Sequence, residues 1–263
     1  MKEHHKGPRI KSAKIAKGMT VDQLIDQHFN AYNAARLSEA CRLLERKMLQ
    51  DDVIMGVSLS GALTPAGLGS SAIAAWIENG WIDYLVSTGA NLYHDIHFGL
   101  NLSLHKSTPF VDDVSLRKEH LIRIYDIVFD FDVLADTDKY VYTIMREPEF
   151  RKRMGTSELH YLMGKYVDAT EKETGQEGAT IMAAAYRNGV PIFCPSPGDS
   201  TIGLNAAALS FYGEAPMIDA VRDVNDSTAI ALLAKQKHKS GVMIFGGGSP
   251  KNFCCRQSRS STR

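Results

Sequence analysis

Ile82-Asp83-Tyr84-Leu85-Val86 runs without a break into Ser87-Thr88-Gly89-Ala90-Asn91-Leu92-Tyr93-His94-Asp95. The first run reads as a buried strand, and the small residues after it open a helix. Such a junction brings bare backbone N–H groups to the carboxyl edge of a sheet, where α/β proteins hold phosphates and cofactors. Gly89 and Ala90 leave that helix start open to an anion.

The same rhythm extends on both sides. Upstream, Val53 to Ser58 reads as a strand, Gly61 to Pro65 as a turn-rich loop, and Gly67 to Asn79 as a helix. A long helix is expected from an N-cap at Thr20 to about Gln50, with Val21, Leu24, Ile25, Phe29, Tyr32, Leu43 and Leu44 as its apolar stripe. Downstream, Ile122 to Phe131 alternates like β-structure, and Thr156 to Lys172 reads as an amphipathic helix. Then follow a helix at 179–188, a strand at 190–194, a loop at 195–200 and a helix at 202–211. A strand at 217–221, a helix at 226–238 and a strand at 242–245 complete the series. Strands that alternate with helices over short connectors predict an α/β fold: a Rossmann-like, doubly wound, mainly parallel sheet with helices on both faces.

With 263 residues the chain can bury a full core. Its 30 basic and 30 acidic residues cancel, which argues against nucleic acid or an anionic membrane as the main partner. No apolar run approaches the roughly 20 residues of a membrane span. Residues 1–17 are basic, lack the apolar core of a secretory signal, and read as a disordered tail. Cys41, Cys194, Cys254 and Cys255 show no metal-ligand spacing, so a reducing cytoplasm is the expected compartment. No metal is expected. A single domain is expected over 18–253. Residues 254–263 lack apolar periodicity and read as an aberrant disordered tail, as though the chain were cut short or altered there.

Several loops could carry chemistry. Gly67-Leu68-Gly69-Ser70-Ser71-Ala72 fits a dinucleotide G-x-G-x-x-A pattern, but a six-residue loop precedes it and no acidic residue ends the next strand; a tight turn is the competing reading. His94 and His97 could share a helix face, although two ligands without a third make thin evidence for a metal. Asp199, in Pro195-Ser196-Pro197-Gly198-Asp199-Ser200-Thr201, either caps the next helix or presents a carboxylate to a ribose, a carboxamide or a cation. Gly246-Gly247-Gly248 after a strand suits a ligand that approaches the backbone closely.

Taken together, Ser60 to Gly67, Val86 to Asp95, Pro195 to Gly203 and Val242 to Gly248 resemble the deoxyhypusine synthase family, closest to its bacterial deoxyhypusine synthase-like branch. The resemblance runs from about Val21 to Phe253. It implies a homotetramer that uses NAD to oxidise a polyamine such as spermidine. The aminobutyl group passes to an enzyme lysine and then to an amine acceptor, either a lysine of translation initiation factor 5A or, as in homospermidine synthases, a small amine. It further implies cofactor contacts from Gly61, Ala62, Leu63, Thr64 and Pro65, from Thr88, Gly89 and Ala90, from Asp199 and from Gly247. Substrate positions fall on His94, Asp95 and Asn252. Two departures stand out. Tyr93 and His94 occupy the place of two adjacent glutamates, and Leu204 and Asn252 replace an acidic and a histidine position. The family's W-G-K lysine is absent, since Trp76 and Trp81 are the only tryptophans, and Lys251 matches a non-catalytic position. The resemblance therefore leaves open both a different amine and an inactive truncated fragment.

Overall fold

A computed structural model describes residues 7–260 and falls into two compact units, one up to Val53 and one from Ile54. Of the expected tails, residues 1–6 and 261–263 lie outside the described residues; residues 7–17 are exposed and largely irregular.

The first unit is helical: α1 (Val21–His28) and α2 (Tyr32–Leu43), followed by a widened helical turn at Leu44–Met48. Thr20 caps α1 in a reciprocal box with Gln23, as its position predicts. The single helix expected to Gln50 is broken at 29–31, where the Asn30 side chain bonds to Gln27 O and Tyr32 takes a positive φ of 54°. Asn turns the chain here by competing for backbone groups.

The second unit runs β1 (Val53–Leu59), α3 (Ala75–Glu78), β2 (Tyr84–Ser87), α4 (Gly89–Gly99), β3 (His105–Lys106), α5 (Asp113–Lys118), β4 (Leu121–Ile124) and β5 (Ile127–Asp130). It continues with α6 (Phe131–Ile144), β6 (Arg153–Met154), α7 (Thr156–Thr174), α8 (Ile181–Asn188), β7 (Ile192–Phe193), α9 (Thr201–Ser210), β8 (Met217–Ile218), α10 (Ala220–Lys237), β9 (Lys239–Phe245) and α11 (Gly248–Ser260). The central sheet has the order β7-β2-β1-β9, with β1, β2 and β7 parallel. Ser60 N donates to Phe245 O at 3.0 Å, so the carboxyl ends of β1 and β9 lie side by side. Leu85 and Val86 point to opposite faces of β2, and both are fully buried; helices therefore cover the sheet on both sides. On one face Val86, Phe193 and Cys254 form a cluster with Ile230 and Val242 around them.

Four readings are revised. The β-rich middle segment is a hairpin, β4-β5, that adds β3 and forms a sheet of its own, and α6 follows it unforeseen. The strand expected at 217–221 is two residues long, pairs with β6 outside the central sheet, and yields to α10, which Asp219 caps. The helix expected from 67 begins as a π-type turn at Gly69–Ala74. The tail expected to be disordered from Cys254 is helical to Ser260, because Phe253 and Cys254 pack on Val86 and Phe193.

Candidate functional site at the carboxyl edge of the sheet

The chain steps from β1 to β2 to β7 on one side and returns to β9 on the other, so the strand order reverses at β1. In parallel sheets a crevice opens at such a reversal, beyond the carboxyl ends of the strands. Here four loops meet. Ser60 Oγ donates to Gly247 O, while Gly246 and Gly248 take φ of 83° and 62°, values that favour glycine. Thr88 N donates to Leu59 O at 3.0 Å, and Thr88 Oγ1 to Gly61 O at 2.6 Å. Ser196 Oγ and Ser249 Oγ are 3.1 Å apart, which ties the loop after β7 to the loop after β9.

Asn91 is the brace that sequence reasoning missed. It is fully buried, and its Oδ1 accepts from Leu63 N at 2.7 Å and Thr64 N at 3.4 Å. Its Nδ2 donates to Thr88 Oγ1 at 3.1 Å, and Thr64 Oγ1 donates to its carbonyl at 2.7 Å. A buried Asn with this many partners fixes the loop 61–65 against the start of α4. Thr88 spends its hydroxyl on Gly61, so no side chain caps α4 and its first turn is left to the backbone alone. Gly61 and Gly247 have open space where a Cβ would stand. Gly89 has none: a Cβ there would strike Ser200, so the starts of α4 and α9 touch.

The structure thus brings together Gly61 to Pro65, Thr88 to Ala90 and Gly247. Asp199 is exposed nearby on the loop that leads into α9. The reading that Asp199 caps α9 is overturned, because Ser200 is the N-cap and accepts from Gly203 N at 3.0 Å. Asn252 lies exposed on α11 and lines, with Pro195, Ser249 and Phe253, a cavity of about 550 Å³. Lys251 is exposed.

Asp95 departs from the expected substrate role. It is 0% exposed, and its Oδ2 accepts from Ile181 N at 2.6 Å and Met182 N at 3.4 Å, at the start of α8. Desolvation holds its carboxyl well above the usual carboxylate range. Gly69 belongs to this arrangement: a Cβ there would meet Asp95 Oδ1 at 2.5 Å. Together with the left-handed Gly67, this favours the tight-turn reading of the glycine motif over a phosphate loop.

His94 Nδ1 lies 2.9 Å from His97 Nε2, and His97 Nδ1 lies 2.7 Å from Thr137 Oγ1, which donates to Val133 O. With the threonine proton spent on Val133, His97 donates through Nδ1 and accepts at Nε2, which leaves His94 protonated at Nδ1. Burial pushes His94 down to about 4 and His97 to about 3, the latter helped by His94 itself. Both are neutral at pH 7. Among the described residues no group of three His, Cys, Asp or Glu side chains could hold a metal.

The family model for deoxyhypusine synthase matches residues 23–262. The chain belongs to the deoxyhypusine synthase family. It is 53% identical over 248 residues to a deoxyhypusine synthase-like protein of Nostoc punctiforme, covering 94% of this chain and 64% of that one. A protein of Methanosarcina thermophila named as a probable deoxyhypusine synthase is 33% identical, over 93% of this chain and 73% of its own. The chain spans about two thirds or less of the cyanobacterial relatives, 64% and 65% for the two Nostoc proteins. The fold is shared with the crystal structure of a protein assigned as a deoxyhypusine synthase from Entamoeba histolytica. That match has a TM-score of 0.65 and 17% identity, over 91% of this chain and 79% of the other.

Proposed function

We propose that this chain binds NAD along the carboxyl edge and acts in NAD-dependent transfer of an aminobutyl group from a polyamine such as spermidine to an amine acceptor. The observation that carries the reading is the meeting of four loops at the reversal of strand order, with Gly61 and Gly247 open and α4 uncapped. The residues that would hold the dinucleotide are Gly61 to Pro65, Thr88 to Ala90, Asp199 and Gly247. Bare backbone and an exposed carboxylate suit a ligand with both phosphates and ribose hydroxyls. When bound, NAD supplies a hydride acceptor that turns an amine into an electrophilic imine. This chain's part is to hold the cofactor with Asn91-braced loops, while the neutral His94 and His97 add no positive charge that would repel a cationic amine.

The acceptor is a protein lysine or a small amine such as putrescine. As the family's resemblance implies, we place the chain in a homotetramer in the cytoplasm, where the thiols of Cys41, Cys194, Cys254 and Cys255 remain reduced. No helix among the described residues is long and apolar enough to cross a membrane.

The test is a titration of NAD followed by tryptophan fluorescence. Trp76 lies against Phe245, with ring centres 6.2 Å apart and planes tilted by 41°, next to the glycine run, and serves as the reporter. NAD is expected to perturb the emission saturably, and Gly247→Val, which fills open space, is expected to weaken binding at least about tenfold without loss of fold. Absence of saturable NAD binding by the wild type overturns the reading. Labelled spermidine offered with a lysine peptide or with putrescine then tests whether the chain, which lacks the family's W-G-K lysine, transfers the group at all, and to which acceptor.

A further inference from the structure

We propose that Asp138 receives an ammonium group of the amine substrate, held in place for that task by Tyr93 and Asn205; this rests on the amine-transfer reading above. Tyr93 Oη donates within 2.9 Å of Asp138 Oδ1, with Leu134 O at 3.1 Å as its second neighbour. Asn205 Nδ2 donates to the same Oδ1 at 2.9 Å and to Thr201 O at 3.0 Å. Both protein hydrogen bonds fall on one oxygen. Among the described residues Oδ2 takes none, and no lysine or arginine pairs with Asp138.

Two donors orient the half-buried carboxylate through one oxygen and leave the other as a ready seat for a cation. Tyr93 is 2% exposed, and burial together with Asp138 raises its phenol well above the ordinary value, so it stays a fixed donor. The three residues come from α4, α6 and α9. Tyr93 and Asn205 each lie four residues into their helices from Gly89 and Thr201, about 6 Å below the loop edge at 1.5 Å per residue. The starts of these two helices touch at Gly89 and Ser200, within the loop cluster assigned to the dinucleotide. An amine that reacts at the edge therefore has its far, charged end within reach of Asp138. The class of ligand is a flexible di- or polyamine with a terminal ammonium, and a neutral amine of the same length lacks the contact.

The test uses the full chain, NAD and two amine probes, putrescine and spermidine, by calorimetry. Asp138→Asn keeps the shape and an acceptor for Tyr93 but replaces the free oxygen with a donor. Loss of a charge-assisted hydrogen bond is expected to raise the amine Kd at least about tenfold, with NAD affinity unchanged within about twofold. Tyr93→Phe, which frees the carboxylate without removing it, is expected to raise the amine Kd by a smaller factor of about three to five. Equal amine affinity in Asp138→Asn and wild type overturns the proposal. So does a parallel loss of NAD and amine binding, which marks Asp138 as a strut between helices. A wild type that binds NAD but neither amine also overturns it and leaves the dinucleotide reading standing. A wild type that binds neither ends both.

Discussion

Helix α4 divides into two regions that differ in what their polar groups do. In its first turn, Thr88 and Asn91 direct hydrogen bonds outward to the backbone of the loop 61–65 and leave the helix start bare. One turn on, Asp95 and His97 are fully buried and bond to Ile181 N of α8 and Thr137 of α6. Four residues separate a bare backbone edge from a polar core. Carboxylates near a sheet edge are therefore not all site residues. Asp199 is exposed and has no helix to cap, whereas Asp95 is spent on fixing α8.

The largest effect tests the interior region. Asp95→Ala removes the acceptor for Ile181 N and Met182 N in a site closed to water, and is expected to cost about 3–5 kcal/mol in urea unfolding. Asp95→Asn keeps that acceptor. Because the folded pKa of Asp95 is raised, the wild type loses stability as pH climbs above the carboxylate range, where only the unfolded chain sheds the proton. Asp95→Asn is thus expected to retain most of the stability at pH 7 and to flatten the slope above about pH 4. An alanine variant as stable as wild type breaks the contrast between the two regions.

Acid should expose the same interior. Burial lowers His94 and His160 to about 4 and His97 to about 3, and His160 Nδ1 lies 2.9 Å from Ile192 O beside the central sheet. A histidine with a depressed folded pKa costs nothing at pH 7. Below about 6.5 the unfolded chain takes up protons that the folded chain refuses, so stability falls from there toward the folded pKa. For His160 alone the loss by pH 4 is on the order of 3 kcal/mol. His160→Gln should remove that share of the slope, as read by thermal melts between pH 7 and 4.

How far the sequence could foresee this depends on what kind of signal each feature leaves. Strand-loop-helix junctions are local, so the parallel α/β fold and the four loops were legible from Val53–Pro65, Tyr84–Asp95, Ile192–Thr201 and Val242–Gly248. The hidden features depend on distant partners. Asp95 and Asp199 look alike in sequence, and only the packing of α8 against α4 separates them. The α6 helix hides because its buried face, Val133, Thr137, Val141 and Ile144, includes a threonine that turns inward for His97. The helical stretch 254–260 hides because its anchoring depends on Phe253 and Cys254 meeting strands far back in the chain.

Moving to the edge, Gly89 and Gly247 separate packing from ligand contact. Gly89→Ala places a methyl against Ser200 and must part α4 from α9, an overpacking cost of about 1–3 kcal/mol. Its NAD binding should weaken along with its Tm. Gly247→Ala meets nothing within 4 Å, so its Tm should hold while NAD affinity falls. If both variants lose stability equally, the glycine run is a structural turn and the edge is no different from the interior.

The smallest change is Asp199→Asn. Asp199 is exposed, its neighbour Ser200 already caps α9, and its own N–H bonds to Ser196 O at 3.1 Å through backbone atoms that the substitution leaves alone. The fold therefore has no use for the charge, and the Tm should not move. A carboxylate that accepts from ribose hydroxyls would be missed by NAD, with a loss of affinity of about tenfold, the worth of one good hydrogen bond to a charged group. An unchanged NAD affinity in Asp199→Asn would make this carboxylate ordinary surface. The edge would then bind through backbone alone, and the contrast with Asp95 would rest on burial rather than on function.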